Sequence, residues 1–162
     1  MRRTLLSILL VFCFLSLHAQ TINLSKMQLQ QRNEYLLNLA KEVTRNFGPD
    51  YYREYKDPEI SEERIFEGKW DKSPEVQRCV GRKYYTVTFR YDRTKERLNW
   101  HFASQVDIWA DDGEPQGVLF GSGIGVHFFE RPYRQWVRDG IKENDKIPYK
   151  NRPLLKPQES GE

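Results

Sequence analysis

Cysteine is almost absent from this chain: 162 residues contain two, Cys13 and Cys79. Cys13 lies within an apolar N-terminal run expected to be removed. Cys79 then has no partner in its own chain, which excludes an internal disulfide and leaves stability to packing. Long hydrophobic runs are also scarce. The longest, Leu5 to Leu17, spans thirteen residues, short of the roughly 20 that a membrane-spanning helix needs. Histidine occurs three times, and neither a catalytic triad nor a paired-carboxylate spacing stands out. No catalytic residue, cofactor or metal site is assigned.

The apolar run itself carries meaning. Arg2 and Arg3 precede it and His18-Ala19-Gln20 follows, the layout of a secretory signal peptide cut after Ala19. A buried N-terminal helix is the alternative, but a core helix rarely lacks a polar face along its whole length. The arginine pair has no twin-arginine flanks, and bulky Phe12 before Cys13 argues against a lipid anchor. The Ala19-Gln20 junction resembles export signals of Gram-negative bacteria. The expectation is an exported protein, periplasmic or secreted, with no transmembrane anchor once the signal is removed.

Removal of residues 1–19 takes Arg2 and Arg3 and no acid, so 26 basic residues against 23 acidic become 24 against 23, and +3 becomes +1. Charge of one sign is therefore lacking, and a nucleic-acid role loses its support. About 143 residues remain, enough for one domain that buries roughly 68–70% of its unfolded surface. The expected organisation is a signal at 1–19, a single domain at 20–147 and a flexible C-terminal tail at 148–162.

Within the domain, helical spacing of Leu29, Leu36, Ala40, Val43 and Phe47 predicts a helix over Lys26 to Phe47. Ser25 and Gln28 would form its capping box, and Gly48-Pro49 a left-handed stop. The segment Glu63 to Trp70 reads as a first strand. From Lys83 onward the period becomes two, which predicts three long strands: Lys83 to Tyr91, Leu98 to Ile108 and Gly117 to Phe129. Short turn-like connections make them an antiparallel meander. Tyr133, Trp136, Val137 and Ile141 then predict a brief C-terminal helix.

A long helix followed by an antiparallel meander with one apolar face is satisfied when the sheet curves over the helical stripe. The fold class is therefore α+β: one long N-terminal helix packed on a curved antiparallel β-meander, with a short C-terminal helix. In element order, over most of the mature chain, this resembles the cystatin-like and NTF2-like folds. A small lipocalin-like barrel is the alternative.

Candidate site residues follow from the strand pattern. Gly121, Gly123 and Gly125 would share one face of the third strand, a stripe without side chains that suits sharp curvature, close approach of another segment, or a ligand or partner. His101 and His127 would join that face. Asp107 is six residues, roughly 20 Å, along the strand from His101, too far to share a metal ion with it. Trp109 beside the Asp111-Gly113 turn, and Tyr51 and Tyr52 after the helix, offer aromatic rings for glycan stacking or protein contact. Asp111, Asp112 and Glu114 are weighed as calcium ligands, the glycines as a phosphate cradle and Cys79 as a reactive thiol. Each has a plainer structural explanation.

These features predict a small binding or interaction module of the bacterial envelope, with an unknown protein, peptide or glycan as its partner. Two alternatives stand beside it. One is a small NTF2-like enzyme with a pocket between helix and sheet, lined by Tyr85, Trp100 or Ser104. The other is an inhibitor or accessory subunit.

Overall fold

The computed structural model describes residues 22–150. The expected signal at 1–19, residues 20–21 and residues 151–162 lie outside the described residues. Helix α1 runs over Leu29–Phe47. It is followed by two short strands, β1 (Glu59–Ile60) and β2 (Arg64–Ile65), and a single helical turn, α2 (Pro74–Gln77). Four further strands come next: β3 (Lys83–Phe89), β4 (Ser104–Trp109), β5 (Pro115–Phe120) and β6 (Gly125–His127). A short helix, α3 (Tyr133–Asp139), ends the series. The sheet order is β1-β3-β4-β5-β6, with β2 also on β3 and every pair antiparallel. This is an α+β fold with one long helix, an antiparallel sheet and a short C-terminal helix.

The stripe on α1 fills the inner face of the sheet. Leu36, Ala40, Val43 and Phe47 are fully buried, as are Val87, Val106, Ile108 and Phe120 opposite them. Leu29, predicted to belong to the stripe, is 63% exposed. The helix begins three residues later than its periodicity suggests, because residues 24–26 form a separate 3-10 turn. Ser25 does not cap it; its hydroxyl bonds Glu63 instead.

Gly48 ends the helix with φ −156, an extended and not a left-handed conformation. Glycine is required there for a different reason: a Cβ would run into the buried Phe120 ring. Tyr85 and Ser104 are buried, and the Ser104 hydroxyl lies 3.2 Å from that of Thr44. Trp100 sits at the surface, stacked on Phe102. Side chains thus occupy the place between helix and sheet where the alternative reading sets an enzyme pocket.

All three long strands are shorter than their alternation predicts. β3 ends at Phe89 and not at Tyr91, residues 99–103 bend before β4 begins, and the chain turns back after Phe120. The Gly123 amide donates to the Phe120 carbonyl (2.8 Å), and Gly123 has φ +89, a conformation that suits glycine. Gly121 and Gly123 therefore lie in a hairpin turn and Gly125 opens β6. The three do not share a strand face. At the C-terminal end the chain is held as far as residue 150: the Ile147 amide donates to the Phe47 carbonyl (2.6 Å), and the Tyr149 ring packs on Tyr51. Residues 148–150 of the expected flexible tail belong to the body. Among the described residues no helix is long and apolar enough to cross a membrane.

Candidate functional site

The outer face of the sheet, away from α1, carries the site. Residues directly opposite on antiparallel strands project to the same side. Register places Thr86 of β3 beside Asp107 of β4, Asp107 beside Gly117 of β5, and Gly117 beside His127 of β6. One row thus crosses four strands, and its third member has no side chain. Asp107 and His127 stand two strand spacings apart, roughly 9.5 Å, across the gap at Gly117. A Cβ on Gly117 would lie 2.9 Å from the Val126 carbonyl oxygen and 3.1 Å from Nδ1 of His127.

Walls rise on this floor because the chain crosses the outer face before β3 begins. Phe66 and Val76 pack on Trp109 in a second apolar cluster, with Tyr84 and Phe129 against it. Beyond this cluster a cavity of about 490 Å³ remains open, lined on one side by Ile65 and Trp70 and on the other by Gln105, Asp107, Gln116 and His127. Trp70 is 59% exposed, and its ring stands 5.3 Å from the His127 imidazole.

The polar groups of the floor are unevenly satisfied. Arg64 bonds the Thr86 hydroxyl, which donates to Oδ1 of Asp107 (2.5 Å). Gln105 donates to Thr88 (3.0 Å). Gln116 is 5% exposed, and its amide oxygen is buried with no hydrogen-bond partner among the described residues. Burial pushes the Asp107 carboxyl above the usual carboxylate range, against the pull of Thr86, Arg64 and His127. Burial pushes the His127 imidazole the other way, below its usual range, against the pull of Asp107 and Asp71. Both shifts favour the uncharged form.

The Asp107 shift makes a testable statement about stability. Since the folded state holds this proton more tightly than the unfolded chain, stability is full below the ordinary carboxylate pKa of about 3.9 and falls as pH rises toward the raised value. Asp107→Asn keeps the acceptor for Thr86 and never ionises. It is expected to stabilise the protein by about 1 kcal/mol at pH 7.5 and to match the parent near pH 3. Urea unfolding at the two pH values checks this; a destabilised variant at pH 7.5 would mean that the carboxylate is well solvated.

The sequence-derived candidates fall apart into separate places. His127 belongs to the cleft. His101 precedes β4 at the other end of that strand, its carbonyl accepting from Arg90 (3.4 Å). Trp109, expected on an open polar face, is 4% exposed under Phe66, with the Arg82 guanidinium 4.2 Å from its ring centroid. Tyr51 is fully buried against Phe120, and Tyr52 is engaged by Arg45 and Glu54. Neither offers a free ring for a ligand.

The acids of the β4–β5 turn do not converge on a vacant point. Arg82 holds Asp111 and Asp112, each at 2.6 Å, and Arg134 pairs with Glu114. Among the described residues no three His, Cys, Asp or Glu side chains group as metal ligands. Cys79 lies beside the second apolar cluster, its Sγ 3.6 Å from the Glu75 carbonyl.

Sequence reasoning missed Trp70, Gln116 and Gly117. The only signal for Gly117 is a glycine inside a strand pattern, and its partners depend on the turn at 121–124 that sets the register of β6. No family model, curated protein or solved structure matches this chain, so the cleft is read from its own chemistry.

Proposed function

We propose that this protein is an exported binding module of the bacterial envelope and that the outer-face cleft over Gly117 seats a small polar ligand. Export rests on the leader pattern of Met1 to Ala19. The likeness to cystatin-like and NTF2-like folds rests on the order of helix and strands. The observation that carries the binding reading is Gln116, which lines the cavity and whose amide oxygen is buried without a partner among the described residues. An unmade hydrogen bond of this kind costs about 1–3 kcal/mol. A ligand that donates to it recovers that cost on binding.

Gln116→Leu separates the two roles. It removes the orphaned acceptor at similar volume, so it is expected to raise the unfolding free energy by about 1 kcal/mol while abolishing ligand binding. NMR signals of His127 and Trp70 report the cleft directly during titration with sugars, amino acids, dipeptides and small carboxylates. Shifts from one class in the parent and none in Gln116→Leu support the proposal. No shift from any class at millimolar concentration would remove it.

A further inference from the structure

We infer that the ligand of the cleft is a neutral saccharide, held by its hydroxyl groups on the Asp107–Gln116 floor and by a ring face against Trp70. The inference rests on the cleft being the ligand site and adds the ligand's chemical class.

The floor selects for donors. Its unfilled positions include two acceptors: the Gln116 amide oxygen without a partner, and the Asp107 carboxyl, bonded among the described residues only by Thr86. A ligand must therefore bring O–H or N–H groups. Carboxylates and phosphates bring none when ionised, and they find no open cation here. Arg64 is turned onto Thr86 and the Tyr84 ring, and Lys69 is paired with Glu67 at 2.8 Å.

A cation fits no better. Two acids, Asp107 and Glu67, are matched by Arg64 and Lys69, so the cleft has no surplus negative charge to offset the cost of desolvating an ammonium group. Burial of the Asp107 carboxyl weakens that attraction further. What remains is a neutral molecule rich in donors.

Among neutral donors, hydroxyls fit best. Asp107 and Gln116 lie on neighbouring strands, whose backbones run about 4.8 Å apart, so hydroxyls on different parts of one sugar ring can address both strands. A hydroxyl both donates and accepts, so it serves Gln116 and a neutral His127 alike. The opposite wall is apolar, with Trp70 exposed and Ile65 beside it, as the C–H face of a pyranose requires. Peptide recognition by strand addition is closed on the floor itself: strands β4 and β5 are each paired on both sides, so neither offers a free main-chain edge. The volume, about 490 Å³, suits a mono- or disaccharide.

The test titrates the full chain with neutral sugars (glucose, N-acetylglucosamine, cellobiose, maltose), with glucuronate and glucose 6-phosphate, and with lysyl and glutamyl dipeptides. The signals of His127 and Trp70 are followed by NMR. At least one neutral sugar is expected to shift both sets of signals, with binding abolished in Gln116→Leu and affinity falling at least tenfold in Trp70→Ala. Trp70 is exposed, so its variant is expected to fold and keeps the test independent of stability. Shifts confined to the charged sugars or the dipeptides would overturn the saccharide assignment and leave the cleft as a binding site. Silence from every compound would overturn both.

Discussion

Tyr51→Ala is expected to cost about 3–5 kcal/mol of stability, the range for emptying an aromatic site in a core, and to loosen the chain end that follows α3. The ring is fully buried, with its centroid 4.8 Å from that of Phe120 and 5.1 Å from that of Tyr149. Its hydroxyl donates to the Pro148 carbonyl (3.2 Å) and accepts from the Lys150 amide (3.1 Å). Tyr51 therefore joins three things: the turn after α1, the far end of β5 and the C-terminal strap. Loss of roughly a fifth or more of a typical domain's stability follows from one side chain.

Tyr51→Phe divides that loss. It keeps the ring and breaks two hydrogen bonds, so about 1–3 kcal/mol is expected, with faster amide exchange confined to residues 147–150. Urea unfolding with hydrogen exchange measures both. If the strap stayed protected in Tyr51→Phe, it would be held by Ile147, by the packing of Tyr149 on the retained ring and by the contacts of Tyr149 with Arg53 and Glu96.

That Tyr51 reads in sequence as a surface aromatic shows where periodic reasoning stops. It follows Gly48-Pro49 in a charged segment, and no pattern within reach marks it as core; its burial depends on Phe120 and Tyr149, far along the chain. Helix α1 and strand β3 are legible because a long run of side chains repeats one period between clear stops. The hairpin after β5 is not legible. Val118 and Phe120 precede a four-residue turn, and Val126 and Phe128 follow it. An even number of turn residues preserves the parity of alternation, so a strand that folds back reads like one that continues.

The site inherits this ambiguity. His127 is visible as a candidate, but the register that sets it beside Gly117, two strands from Asp107, comes into being only once the chain turns. Trp109 fails for a related reason. It lies on the face that alternation marks as polar, yet Phe66 and Val76 cover it from a segment with no periodicity to announce where it runs.

Gly121→Ala is expected to destabilise the protein by about 3 kcal/mol, the upper part of the range for an overpacked site, and to leave the cleft chemistry untouched where the protein remains folded. The Gly121 amide donates to the Ala103 carbonyl (2.8 Å), and its carbonyl accepts from the Trp100 amide (3.0 Å). These bonds hold the turn close against residues 98–103. A methyl group at Gly121 would run into the Phe102 carbonyl oxygen and the Leu98 side chain. A side chain could swing aside, but a main-chain oxygen fixed between two buried residues cannot. Gly123→Ala nearby meets a milder obstacle: the new Cβ would lie 3.3 Å from the Trp100 indole nitrogen, and φ +89 is costly to a residue with a side chain, by roughly 1–2 kcal/mol. The ordering discriminates between two meanings of these glycines. A bare stripe for a ligand predicts that both substitutions block binding with similar, small effects on folding. A turn pressed onto a neighbouring segment predicts unequal losses of stability and intact cleft signals from His127. Urea midpoints for the two variants, with those signals followed alongside, decide it; equal midpoints for Gly121→Ala and the parent would show that the close approach to Phe102 carries no weight.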